Sequence, residues 1–77
     1  MNHSKIHVSY GDGSKPKGTK VVIGFTGPLG GMSKPAYTDQ YGVAIVEHSS
    51  TGNADVYVSG NKVGSFHAPG ETAVFIS

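Results

Sequence analysis

Four histidines, His3, His7, His48 and His67, are the residues of this sequence best equipped for chemistry. Imidazole is the commonest metal ligand and changes charge near neutral pH, so four could close a tetrahedral site or form a pH-sensitive surface. Their spacing argues against a shared ion. On a strand, His3 and His7 would lie roughly 13 Å apart. They would approach each other on a helix, which the valines and serines around them disfavour. His48 and His67 end different predicted strands and could meet in space. Without a local ligand spacing, ordinary exposed histidines are the expectation, with no metal and no cofactor.

The acids are Asp12, Asp39, Glu47, Asp55 and Glu71. Asp39 and Asp12 read as turn formers, because a short carboxylate can bond its own backbone two residues on. Glu47 and Asp55 flank a polar turn and are expected as cross-strand neighbours on a solvated face. Ser65 and His67 share one side of a strand, yet a serine nucleophile needs a base that is itself held by a third group. No Gly-x-Ser-x-Gly elbow is present, and no catalytic residue is assigned.

The glycine-rich stretch Gly24-Phe25-Thr26-Gly27-Pro28-Leu29-Gly30-Gly31-Met32 could present backbone N–H groups to a ligand. It lacks the Gly-Lys-Ser or Gly-Lys-Thr ending of a phosphate-binding loop. Pro28, Leu29 and Met32 are apolar side chains on a predicted loop, and methionine adapts to partner surfaces. With Tyr41 and Tyr57 they form the candidate partner-binding set. The alternative is a small-ligand or carbohydrate-binding β domain that uses the glycine loop and the tyrosines. The six basic residues are all lysine. Arginine is the usual reader of phosphates and bases, so nucleic-acid binding is not expected.

The chain is too short for more than one domain, residues 1–77. It has no cysteine, which excludes disulfides and thiolate metal sites. No apolar run approaches the ~18 residues that span a bilayer, so no membrane insertion is expected. The N-terminus lacks the apolar core of a signal peptide, so the sequence as written reads as cytoplasmic, or as surface-exposed if it is a fragment of a longer protein. Valine occurs nine times, isoleucine four times and leucine once. That bias toward β-branched residues, cut by glycine, asparagine and proline, predicts strands and turns.

Seven strands are predicted: Lys5–Tyr10, Thr19–Phe25, Pro35–Thr38, Val43–His48, Ala54–Ser59, Lys62–His67 and Thr72–Ile76. Ile6, Val8 and Tyr10 should share a buried face, as should Ala54, Val56 and Val58. Gly60-Asn61 is predicted as a two-residue hairpin link. Seven short strands at this spacing predict an all-β, small two-sheet antiparallel sandwich.

The stretch Tyr37-Thr38-Asp39-Gln40-Tyr41-Gly42-Val43-Ala44, followed by Ile45-Val46, resembles bacterial Ig-like domains of the invasin and intimin type. It is also similar to carboxypeptidase regulatory-like, transthyretin-like sandwiches. The resemblance spans Gly18 to Ser59 and rests on a Thr-Asp-x-x-Gly turn before an apolar strand. It implies an Ig-like or transthyretin-like fold and no catalytic site. The resulting expectation is a non-catalytic protein-interaction or structural module. It would have a protein partner or self-associate along an edge strand such as Pro35–Thr38 or Thr72–Ile76.

Overall fold

The computed structural model describes residues 2–26 and 30–76. Its seven strands are β1 (Asn2–Tyr10), β2 (Lys20–Phe25), β3 (Ala36–Tyr37), β4 (Val43–His48), β5 (Gly52–Val58), β6 (Asn61–Ala68) and β7 (Glu71–Ile76). They form two sheets, one of order β4-β1-β7 and one of order β3-β2-β5-β6. Every strand pair is antiparallel except β1 and β7, which run parallel.

Alternation builds the core. Ile6 and Val8 of β1, Ala44 and Val46 of β4 and Val74 of β7 point inward from the three-stranded sheet. Val21 and Ile23 of β2 and Ala54, Val56 and Val58 of β5 meet them from the other layer. These are small and β-branched side chains, which suit two closely packed pleated faces. Tyr10 follows the inward phase but stands at the end of β1, 37% exposed. Ser9, on the opposite phase, is buried and accepts a hydrogen bond from Lys15 Nζ at 2.7 Å.

Local turn chemistry explains two connections. Asp39 Oδ1 accepts from the Tyr41 and Val43 N–H groups at 2.8 and 3.0 Å, and Gly42 takes a φ of 76°. The β5–β6 hairpin turns on Ser59 and Gly60, with φ of 52° and 86°. Two successive positive φ values mark a type I′ turn, whose twist matches the flanking strands. The predicted link Gly60-Asn61 is therefore displaced by one residue, and Asn61 already pairs with Val58. The register then shifts between Val56 and Tyr57, which face Gly64 and Lys62, so Val63 is the extra residue of a bulge.

One connection departs from expectation. β4 and β5 are separated by only three residues, yet they belong to different sheets. Glu47 faces His3, whereas Asp55 faces Gly24 and Ser65. They are not cross-strand neighbours. Either path satisfies a short polar link; what decides is burial of β4's Ala44 and Val46 against the opposite layer. β4 is left as an edge strand.

Candidate functional site

Because β4 pairs on one side with β1 alone, its other side carries no strand ladder, and β3 lies along it with Cα atoms within 8 Å. Backbone directions follow from the ladder. Val8 N–H donates to the Gly42 carbonyl, and Lys5 N–H donates to the Gly70 carbonyl beside β7. Peptide groups alternate sides along a strand. Ala44, Val46 and His48 therefore turn theirs toward β1, and Val43, Ile45 and Glu47 turn theirs outward. Val43 is already served: its N–H goes to Asp39 Oδ1 and its carbonyl accepts the Asp39 N–H. Among the described residues, the N–H and C=O of Ile45 and Glu47 have no backbone or side-chain partner.

A groove runs beside this edge. At one end it holds about 260 Å³ and is walled by Phe25, Gly30–Lys34 and His48–Ser50. At the other it holds about 460 Å³ between Pro35, Ala36 and Tyr37 on one wall and Val43 and Ile45 on the other. Lys34 and Glu47 line both halves. Ile45 is 50% exposed and Tyr37 61% exposed, so apolar surface flanks the unpaired peptide groups. Val43 N–H donation, and after it that of Tyr41, holds the Asp39 carboxyl below its ordinary value at the groove's far end.

The opposite wall has its own construction. Phe25 N–H donates to the Gly31 carbonyl, Ser33 N–H to the Ile23 carbonyl, and Ile23 N–H to Ser33 Oγ. Met32 bridges Gly24 across this short ladder. A Cβ on Gly24 would lie 2.7 Å from Met32 Sδ and 3.2 Å from Tyr57 Cε2. Glycine is thus needed for Met32 to lie down on the sheet beside Tyr57. Pro35, which cannot donate, sits where the wall passes from this ladder to β3.

At the Ser50 end lies a buried polar constellation. His48 is 4% exposed and Ser4 is 2% exposed, which corrects the expectation of an exposed histidine at position 48. Ser4 Oγ and His48 Nε2 are 2.7 Å apart, and His48 Nδ1 lies 2.7 Å from the Ser50 carbonyl. A carbonyl only accepts, so Nδ1 carries a proton; in the neutral ring Nε2 then accepts from the Ser4 hydroxyl. Gly70 N–H donates to Ser4 Oγ at 3.2 Å. Phe25 covers the imidazole with ring centroids 5.2 Å apart. Serine, base and orienting carbonyl are in nucleophile-activating order. The serine oxygen, however, is buried and is not part of the groove lining. What the arrangement does accomplish is to tie β1, β4 and the β6–β7 turn together.

Of the residues predicted to bind a partner, Met32 and Tyr57 come together, in a shallow depression with Lys20, Val22 and Gly60. Met32 also lines the β4 groove. Tyr41 stands in the β3–β4 turn, 68% exposed, and contributes to neither feature. Pro28 and Leu29 lie outside the described residues. Ser65 and His67 occupy the outer side of β6, where they face Asp55 and Asn53. Among the described residues no three of histidine, aspartate or glutamate gather into a metal-holding group. Ile45, Lys34 and Tyr37 are not among the predicted partner-binding residues, and Glu47 enters the sequence reading only as a solvated acid; the one signal at β4 is an apolar strand with a single charge, which gives no hint of being an edge.

No family model, curated protein or solved structure matches the chain.

Proposed function

We propose that this chain is a non-catalytic protein-interaction or structural β-sandwich module that docks an extended polypeptide segment along the open edge of β4. The supporting observation is the outward pair of peptide groups at Ile45 and Glu47, set beside a groove. Strand addition draws affinity from main-chain hydrogen bonds and selectivity from pockets for alternate side chains. Ile45 and Glu47 supply two donors and two acceptors, and the groove walls supply apolar contact at Tyr37 and Ile45 and charge at Lys34 and Glu47. An Ig-like or transthyretin-like relationship is compatible with this role and adds no catalytic residue to it.

The test is a display library of extended peptides, with binders mapped by amide hydrogen exchange. Binders should slow exchange at the Ile45 and Glu47 N–H groups, and Ile45→Lys should abolish selection. Binders that leave those two amides unprotected overturn the proposal. A glycan panel that instead shifts Met32 and Tyr57 resonances would replace it with the carbohydrate-binding alternative.

A further inference from the structure

We infer that the outer face of the four-stranded sheet holds a binding site for a planar aromatic ring that carries one anionic group. The site is separate from the β4 groove and does not rest on edge docking. Strand register builds it. Val21 and Ile23 are buried, so alternation turns Lys20, Val22 and Gly24 outward. Val22 faces Tyr57 across the β2–β5 ladder, and Gly24 lies between Asp55 on one side and Met32 on the other. Lys20, Val22, Met32, Tyr57 and Gly60 line a depression of about 320 Å³, which is of small-ligand size.

One end of the depression is apolar and flat. The missing side chain of Gly24 lets Met32 Sδ lie where it would otherwise meet a Cβ at 2.7 Å, with Tyr57 Cε2 alongside. Met32 is 63% exposed, so this floor is accessible. A rigid ring laid on it meets the phenol ring and the polarisable sulfur and loses no rotamers. An acyl chain would gain less, because an open floor does not enclose it and its rotamers are lost.

The other end is polar. Lys20 stands on the same face of β2 as Val22, roughly 7 Å along the strand. Its carbonyl accepts the Ser59 N–H at 3.0 Å, which holds the Ser59–Gly60 turn beside it. The Gly60 N–H has no partner among the described residues. Charge selects the sign of the ligand. Lys62, opposite Tyr57, is engaged by Asp55 at 3.4 Å. Lys20 has no carboxylate within ion-pair distance among the described residues. An unpaired cation and an unpaired N–H beside an apolar floor complement an aromatic anion.

The probe is naphthoate, with neutral naphthamide of the same shape as its control, each titrated into the full chain and followed by nuclear magnetic resonance. Naphthoate should shift the Tyr57 ring, Val22 methyl and Gly60 amide signals with a Kd on the order of 1 mM. It should bind about two- to fivefold tighter than naphthamide, and added salt should shrink that ratio. Lys20→Gln should erase the ratio, whereas Met32→Ala, at an exposed position, should weaken both ligands alike. Silence of the Tyr57, Val22 and Gly60 signals at about 10 mM naphthoate overturns the inference. So does equal binding of acid and amide, or a ratio that survives Lys20→Gln. Shifts confined to the Ile45 and Glu47 amides overturn it as well, and assign the probe to the β4 groove.

Discussion

His48 shows how much a single side chain can organise when both its nitrogens are engaged. It holds Ser4, 44 positions away in sequence, and the carbonyl of Ser50, while Ser4 holds the Gly70 N–H. Ser4→Ala would strip a donor from Nε2 and an acceptor from Gly70, both in a buried site. A loss of about 1–3 kcal/mol is expected, read from urea unfolding. In a double-mutant cycle with His48→Phe, the combined loss should fall short of the sum of the two single losses. Asp39 offers a pH-dependent counterpart. Its carboxyl is held below the ordinary value of 3.8 by the Val43 and Tyr41 N–H groups. A depressed folded-state value stabilises the fold above the unfolded-state value, and that contribution disappears as pH falls through the lower one. Asp39→Asn should therefore flatten the acid limb of the stability profile, while Asp39→Ala lowers stability at neutral pH as well. The turn role of Asp39 was legible in the sequence because it involves residues two and four positions away. The burial of His48 was not, because it depends on Ser4 of β1 and Phe25 of β2, both remote in sequence.

Among the elements, the β5–β6 hairpin is the most locally specified. Ser59 adopts a left-handed conformation, which costs an ordinary residue about 1–2 kcal/mol. Ser59→Asn would create the Asn-Gly pair that type I′ turns favour and recover part of that cost. A higher urea midpoint with unchanged slope is the expected result. The Gly24–Met32 contact is equally specific. Gly24→Ala should lift Met32 off the sheet and change the Tyr57 ring resonances, with the β2–β5 ladder kept. All seven strands were readable from β-branched runs and punctuating glycines, with ends displaced by a few residues. β1 reaches back to Asn2, for instance, because β4 offers Asn2 a partner in His48. Strand partners were not readable. The polar link after His48 looks like a hairpin turn, yet it carries the chain from one sheet to the other.

For the whole molecule, the core among the described residues consists of eleven buried apolar residues, none larger than isoleucine. A domain of this length has a total stability on the order of 4–12 kcal/mol. Ile23→Ala alone is expected to cost about 2–5 kcal/mol, leaving a measurably unfolded fraction at 37 °C by circular dichroism. Composition, alternation and turn residues were enough to specify an all-β chain of seven strands in two layers, because those properties depend on neighbours within a few positions. The order of strands in each sheet, the parallel pairing of β1 with β7, the burial of Ser4 with His48 and the open edge at Ile45 and Glu47 came from packing. They depend on which faces are buried together across the whole chain, and any one strand is compatible with several answers.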